Sequence, residues 1–213
     1  MLSSEQDARH RMAPPPKPQT MKERILETAD KLFYLKGIRA IGVDTIAAEI
    51  GISKRTLYNH FPSKDALIAA YLERRFVSAR PSDKPPAEQI LATFDSLERR
   101  FAAKDFRGCP FVNAVAELGP ADRAVKKIAI AFKESRRLWF RERLTELGVR
   151  DAEALATQLV LLVDGSIAQD LVRDDPAMAR AAKEAAKVLL RNAGVDVGGD
   201  AVKQVKGRKR APQ

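Results

Sequence analysis

Three observations predict an all-α protein, and its 213 residues are enough for one compact domain and a small one. Apolar residues recur at three- and four-residue spacing in successive segments from Thr20 to about Ala193. No segment alternates between apolar and polar residues as a half-exposed strand does, and none repeats at a fixed period. Glycine and proline are rare inside the periodic segments, which allows the helices to be long.

The first helix is predicted to follow a polar leader. Residues 1–19 are polar and rich in proline, and we expect them to be disordered. Thr20 is the predicted N-cap of the helix, and Glu23 stands at the position that completes a capping box. The apolar stripe that follows ends at Gly37, where the helix is expected to stop.

Residues 43–61 predict two short helices joined by a tight turn. Gly51 supplies the turn, because a residue without Cβ enters the left-handed region at little cost. Ser53 is the predicted N-cap of the second helix. Leu57 and Phe61 are four residues apart on one face, so they can pack back onto the first helix. A helix pair whose second member is polar and cationic is typical of the helix-turn-helix that reads DNA in the major groove.

The rest of the chain predicts six further helices. They span Lys64 to about Ala79, Ala87 to about Ala103, Phe111–Leu118, Asp122–Leu147, Asp151 to about Arg173, and Pro176 to about Ala193. The first of them should connect the two domains, and a proline-rich break at residues 80–86 follows it. The helix at residues 151–173 is apolar on two faces. We therefore expect it to be buried on both faces, one of them against a partner subunit.

Four segments from Met21 onward resemble the DNA-binding domain of the TetR family of transcriptional regulators. They read KERILETADKLFYLKGI, VDTIAAEIGIS, TLYNHF and SKDALIAAYL. The resemblance implies a homodimer with a small three-helix helix-turn-helix domain at 20–65, followed by a larger helical effector-binding and dimerisation domain at 66–195. From the sequence itself we expect a flexible basic tail at 196–213. The resemblance also implies that the last two helices form a four-helix bundle with those of the partner. An unidentified small molecule is the implied effector, and the expected function is a repressor that the effector releases from a palindromic operator.

The candidates for contact with DNA lie on or beside the second motif helix. Arg55 is the first candidate for a base contact, because a guanidinium can bind guanine bidentately. The resemblance assigns contacts with the DNA backbone to Tyr58 and Lys64. The other candidates are Thr56 and Asn59 for bases, and Arg39, Thr45, Lys54 and His60 for the backbone. The alternative for each is an ordinary solvated residue, or a helix cap in the case of His60.

The candidates for contact with a ligand are aromatic residues of the larger domain and the polar residues among them. Asp164 interrupts an apolar run, and an unpaired buried carboxylate is costly, so it needs a partner. That partner is a ligand, a group across the dimer interface or a neighbour within the chain. The other candidates are Phe94, Phe111, Phe132 and Trp139, which are otherwise core residues, and the polar Asn113, Glu117 and Ser135.

Charge and composition bound the function classes. The net charge is +10, but half of it comes from five basic residues among the last eleven. This tail either adds nonspecific DNA affinity or serves as a solubilising terminus, and a constitutive architectural DNA-binding protein without a ligand is the alternative function. An enzyme using Cys109 would need a base, and the two histidines are His10 and His60. No cofactor or metal motif is present. No apolar signal core precedes the first helix, so we expect a cytoplasmic protein without a membrane partner.

Overall fold

The computed structural model describes residues 19–76, 82–119 and 121–198, and within these ranges it confirms the all-α prediction. The described residues form nine helices and no strand. The helices are α1 (Met21–Lys36), α2 (Val43–Ile50), α3 (Lys54–His60), α4 (Lys64–Arg75), α5 (Pro86–Phe101), α6 (Pro110–Leu118), α7 (Arg123–Glu146), α8 (Ala152–Arg173) and α9 (Ala177–Asn192). The predicted leader up to residue 18 and the predicted basic tail from residue 199 lie outside the described residues.

The capping box predicted for α1 is present. The Thr20 hydroxyl accepts a hydrogen bond from the backbone N–H of Glu23 at 3.2 Å. The Glu23 carboxylate accepts one from the backbone N–H of Thr20 at 2.7 Å. These two bonds satisfy donors that a helix start leaves free, and they fix the point at which α1 begins.

The turn between α2 and α3 has the predicted geometry. Gly51 adopts φ 72° and ψ 36°, which is the left-handed region. Its N–H donates to the carbonyl of Ala48 at 3.2 Å, and the N–H of Ile52 donates to that of Ala47 at 3.0 Å, which together form a Schellman cap. The Ser53 hydroxyl then accepts from the N–H of Thr56 at 3.0 Å and begins α3. The angle between the two helices is therefore set by local chemistry.

Helix α4 is shorter than predicted. It ends at Arg75 rather than near Ala79, because Phe76 leaves the helical conformation with φ −76° and ψ 74°. The Phe76 ring packs edge-on against Phe111 at 6.3 Å and Phe132 at 5.6 Å between ring centres. This packing turns the chain inward at Phe76, and residues 77–81 lie outside the described ranges.

Two hydrophobic cores share helix α7. The first core contains the buried faces of α1 to α4 and continues into Phe111 and Ala114 of α6 and Val125 and Ala129 of α7. The second core contains α5, α8 and α9 together with Phe140 and other residues of the C-terminal half of α7. Packing is thus continuous across the domain limit predicted at residue 65, and a shift of α6 or α7 would displace the helices α1 to α4 that pack against them.

Helix α8 has an unusual composition for this chain. Over its most apolar 18 residues the mean hydropathy is 1.3, so by length and composition alone it is apolar enough to cross a membrane. It packs against α7, α9 and α5, and 33% of that window is buried. Since Asp164 and Asp170 lie within it, we assign α8 as a core helix that also presents an apolar face to the surroundings.

Candidate DNA-binding surface and ligand cavity

Helix α3 presents a polar surface on an apolar support. Leu57 is fully buried and Phe61 nearly so, and both belong to the first core. Lys54, Arg55 and Asn59 are exposed on the opposite side. A short helix held by its apolar face can enter a groove without being reshaped, which suits the readout of base edges.

The predicted base-reading residues differ in whether their side chains are already hydrogen-bonded within the protein. Arg55 and Asn59 make no side-chain hydrogen bond to another described residue. Thr56 is half-buried, and its hydroxyl lies 2.9 Å from that of Ser53, so it forms part of the helix cap. Tyr58 is 39% exposed, which leaves its hydroxyl accessible from outside.

Two of the predicted backbone-contacting lysines already have partners. Lys54 donates to Asp44 at 2.9 Å, and this hydrogen bond raises the pKa of the Lys54 ammonium. Both side chains are exposed, so a phosphate can replace the carboxylate at little cost. Lys64 donates to the carbonyl of Ile38 at 2.7 Å and thereby ties the start of α4 to the loop after α1. An ammonium has three donors, so this bond still leaves Lys64 able to bind a phosphate.

The remaining predicted contacts lie around the same surface. Arg39 and Thr45 are exposed, and His60 is half-buried at the end of α3. One cation that the sequence analysis missed is Lys22, whose ammonium lies 5.6 Å from the centre of the Phe61 ring. Its position on the first turn of α1 was visible in the sequence, but its closeness to the end of α3 depends on packing between distant segments.

A cavity of about 330 Å³ lies where helices α1 and α4 meet helices α5 to α8. Helices α1, α4, α5, α6, α7 and α8 all contribute to its wall. The lining residues are Asp30, Arg74, Arg75, Leu97, Arg100, Phe106, Gly108, Cys109, Pro110, Phe111, Phe132, Lys133, Arg136, Asp164 and Ile167. Its size is at the lower end of the range for small-molecule sites.

Both carboxylates of the cavity are engaged in ion pairs. Arg75 binds Asp30 bidentately, at 2.5 Å through Nε and 2.8 Å through Nη2. Lys133 binds Asp164 at 2.5 Å. Arg136 forms no hydrogen bond or ion pair with any described residue, and burial lowers the pKa of its guanidinium. A guanidinium nevertheless remains cationic in proteins. The nearby Asp164 carboxylate is bound to Lys133, so Arg136 has no hydrogen-bonded counterion among the described residues.

A second, open groove lies between α6, α7 and α8. Its volume is about 690 Å³ and its walls are almost entirely apolar. Val112, Ile130 and Leu161 are large apolar side chains that the groove leaves exposed. Such a surface suits a protein partner better than a polar small molecule.

Three of the eight predicted ligand residues line the cavity, and five lie elsewhere. Phe111, Phe132 and Asp164 are on the wall, and Asp164 has the neighbour within the chain that was one of its three expected partners. Phe94 and Trp139 instead pack in the second core. Ser135 is exposed and donates to the carbonyl of Phe132 at 2.8 Å, because the inner stripe of α7 runs through Phe132 and residue 136 rather than residue 135.

The remaining two predicted ligand residues hold loops in place. Asn113 donates to the carbonyl of Arg107 at 2.6 Å, which steadies the loop before α6. Glu117 accepts a hydrogen bond from the backbone N–H of Arg39 at 3.0 Å, across 78 residues of sequence. The Glu117 carboxylate also lies against Gly37, where an added Cβ would be only 3.1 Å from one of its oxygens. Neither Asn113 nor Glu117 is part of the cavity wall.

A buried tyrosine joins α1 to the same loop. The Tyr34 hydroxyl donates to the carbonyl of Gly108 at 3.1 Å and accepts from the N–H of Arg107 at 2.9 Å. Cys109, the next residue along this loop, is a buried thiol that lines the cavity and precedes α6. The loop before α6 thus connects the cavity to the helix that supports α2 and α3.

The cationic side chains of the cavity wall were not among the predicted ligand residues. Arg74, Arg100 and Arg136 line it without an ion pair to any described residue. The polar ligand candidates predicted from the sequence stand among apolar residues, whereas these arginines stand at the ends of helices or beside other charges. The sequence does contain one signal for Arg136 as a wall residue. It lies four residues after the predicted ligand residue Phe132, which places both on one face of α7.

Two family models match the chain. Residues 25–71 match the bacterial regulatory proteins of the tetR family, and residues 86–185 match the C-terminal domain of LmrA/YxaF-like transcriptional regulators. The chain is 26% identical over 160 residues to the transcriptional regulator LmrA of Bacillus subtilis, covering 68% of this chain and 84% of that protein. The relatives are transcriptional regulators, which decides against an enzyme built on Cys109.

Solved structures agree with these matches. A tetR-type regulator from Streptomyces avermitilis is 31% identical with a TM-score of 0.74, and the match covers 84% of this chain and all of that one. A TetR-family regulator from Streptomyces coelicolor is 34% identical with a TM-score of 0.72, and the match covers 80% of this chain and 94% of that one. With its helix-turn-helix at α2 and α3 and a matching helical C-terminal domain, this chain belongs to the TetR family of DNA-binding transcriptional regulators.

Proposed function

We propose that the protein is a homodimeric repressor in the cytoplasm, and that a small-molecule effector in the 330 Å³ cavity releases it from a palindromic operator. The observation that carries this proposal is the position of the cavity. Its wall includes Asp30 of α1 and Arg74 and Arg75 of α4, which belong to the DNA-binding end of the molecule. A ligand there touches the elements that set the position of α3.

The base-reading part of the proposal rests on α3. Arg55 and Asn59 are the proposed base contacts, with Thr56 beside them at the helix start. Lys54, Tyr58 and Lys64 are the proposed contacts with the DNA backbone, and Arg39, Thr45 and His60 flank them. In a two-fold symmetric dimer the two copies of α3 would read half-sites about 34–36 Å apart, or a multiple of that distance.

Exposed residues on α8 support the homodimer. Six of them follow alternating four- and three-residue steps along one face: Ala154, Gln158, Leu161, Gly165, Ala168 and Val172. Leu161 is 65% exposed and Val172 83% exposed, which is costly for large apolar side chains in water. On α9, Val188 is a further large apolar side chain that is 52% exposed. Packing α8 and α9 against the same helices of a second copy would bury this face in a four-helix bundle.

The open groove is assigned to the dimer rather than to the effector. Leu161 belongs both to the groove wall and to the exposed face of α8, so the two surfaces are continuous. The smaller cavity exposes charged groups that can orient a ligand, whereas the surface that the groove exposes is almost entirely apolar. Specific small-molecule sites combine an apolar lining with a few such groups.

The effector acts in this proposal by favouring one of two dimer forms. It can shift the balance only through a higher affinity for the form whose α3 helices are wrongly spaced for the operator. The loop before α6 carries the coupling, since it lines the cavity and is bonded to Tyr34 of α1.

The test measures operator affinity with and without a bound compound. Compounds that raise the Tm of the purified protein are first collected, and a DNA fragment flanking its own gene is then titrated at fixed salt concentration. A fall in operator affinity with at least one such compound is the expected result. Equal affinities with and without every stabilising compound would remove induction from the account, whereas equal affinity for unrelated DNA would indicate the architectural alternative.

A further inference from the structure

We propose that the cavity binds an organic carboxylate, whose anionic group pairs with Arg136 and whose apolar body lies against the partly exposed Phe106, Phe132 and Ile167. This inference rests on the proposed function in one respect, the identification of this cavity as the effector site. It goes further by naming the chemical class of the ligand and the residue that selects it.

The charges of the cavity wall are unbalanced. Five cationic side chains line it, against two carboxylates, and each carboxylate already holds one cation. Three guanidiniums, those of Arg74, Arg100 and Arg136, remain without a described carboxylate partner. Arg74 and Arg100 are exposed, so water can solvate them at the cavity rim. Arg136 is half-buried, so it has less access to water than the other two guanidiniums.

Arg136 has the chemistry of a carboxylate receptor. A guanidinium stays charged when it is desolvated, and its planar fork matches the two oxygens of a carboxylate with two parallel hydrogen bonds. A neutral ligand would leave this cation without a counterion when it displaced the water around it. A cationic ligand is disfavoured as well, because it would add a further positive charge to the cavity.

The apolar part of the wall adjoins this cation. The rings of Phe111 and Phe132 stack with their centres 3.9 Å apart and their planes 13° from parallel. The guanidinium carbon of Arg136 lies 5.2 Å from the centre of the Phe132 ring. Leu97, Phe106 and Ile167 complete the apolar lining. The ligand that satisfies both parts has a carboxylate at one end and an aromatic or alicyclic body at the other.

The experiment compares a matched pair of probes by calorimetry on the full-length protein. The probes are 2-naphthoate and 2-naphthamide, which have nearly the same shape and differ in charge. The expected result is that naphthoate binds more tightly than the amide, by about 10- to 100-fold for a charge-assisted bidentate pair. The variant Arg136→Met should lose this preference, and Arg136→Lys should keep part of it because the charge remains without the fork.

The control variant is Arg123→Met, which removes an exposed arginine at the start of the same helix and outside the cavity. It should retain the preference for naphthoate. Equal affinities of the two probes for the wild type, failure of both to bind at millimolar concentration, or an unchanged preference in Arg136→Met would each overturn the proposal. Thermal unfolding without ligand provides a second readout, since Arg136→Met should unfold at a higher temperature at low salt once the uncompensated charge is removed.

The carboxylate site and the effector role of the cavity can be disproved independently. If naphthoate binds through Arg136 but operator affinity does not change, the carboxylate site stands and the effector role of the cavity falls. If operator affinity responds to a stabilising compound that is neutral and binds Arg136→Met as well as the wild type, the effector role stands and the carboxylate inference falls.

Discussion

Arg55 is the residue on which sequence readout depends most in this account. It is exposed on the first turn of α3 and makes no ion pair with a described residue, so its guanidinium is available for a base. Half of the net charge lies in the last eleven residues, and general attraction to DNA therefore does not explain specificity. Specific binding must come from a few side chains on the surface of α3.

Replacing Arg55 with alanine should relax specificity. We expect the affinity for the operator to fall by about 10- to 100-fold, because a bidentate contact with guanine is lost. Affinity for nonspecific DNA should fall much less, and fluorescence anisotropy at fixed salt measures both. The matched control is Arg150→Ala, an exposed arginine after α7 that lies outside the helix-turn-helix. An unchanged ratio of specific to nonspecific affinity in Arg55→Ala would show that another residue reads the bases.

A second residue, Asp170, should make stability depend on pH. It is 3% exposed, and its Oδ1 has no hydrogen-bond partner. Desolvation, followed by the charges of Asp174 and Asp175, raises the pKa of the Asp170 carboxyl. The folded state therefore binds this proton more tightly than the unfolded state, and the carboxyl contributes less to the free energy of unfolding as the pH rises through its folded pKa.

The variant Asp170→Asn should remove that dependence. Relative to the wild type, its free energy of unfolding should rise as the pH increases from about 4 to 7. Denaturant unfolding at both pH values provides the measurement. A difference that stays constant or falls over this range would contradict the assignment.

At the scale of elements, the sequence predicted what is decided locally. The capping box of α1, the Gly51 turn and the Ser53 cap involve residues no more than five apart, and all three are present. The bond from the Arg39 backbone to Glu117 spans 78 residues, so no local pattern could reveal it. The cavity could not be predicted for the same reason, since its cations come from three separate helices whose packing the sequence pattern does not specify.

The contact of α1 with the loop before α6 is the element-level link between ligand and DNA. Tyr34→Phe removes the hydroxyl that bonds to Arg107 and Gly108. We expect a loss of about 1–2 kcal/mol in the free energy of unfolding, together with a smaller effect of a bound compound on operator affinity.

The control for this prediction is Tyr71→Phe. Tyr71 is even more deeply buried than Tyr34, at 2% against 9% exposed, but its hydroxyl makes no hydrogen bond with a described residue. This variant should be nearly neutral in stability and should keep the response to the compound. If the two variants behave alike, the Tyr34 bonds do not carry the coupling.

The whole molecule is expected to function as a pair of chains. Gly165 lies at the middle of the exposed α8 face, and a Cβ built there meets nothing within 4 Å in the single chain. Gly165→Leu should therefore leave the fold of one chain intact while it blocks close approach of a second copy. We expect weaker dimerisation in analytical ultracentrifugation and a parallel loss of operator affinity.

Ala131→Leu is the matched control, since it enlarges an exposed position on α7 instead of α8. It should sediment as the wild type does. A Gly165→Leu variant that dimerises as well as the wild type would show that the subunits meet elsewhere.

Sequence-specific binding of a palindromic operator by a dimer is tested most directly by a hydroxyl-radical footprint of the full-length protein on DNA flanking its own gene. The account predicts two protected half-sites related by two-fold symmetry, with centres about 34–36 Å apart or a multiple of that distance. Arg55→Ala should lose this pattern at concentrations at which the wild type protects both half-sites. Uniform protection without symmetric half-sites, which fades with added salt in the same way on any DNA, would contradict a sequence-reading dimer.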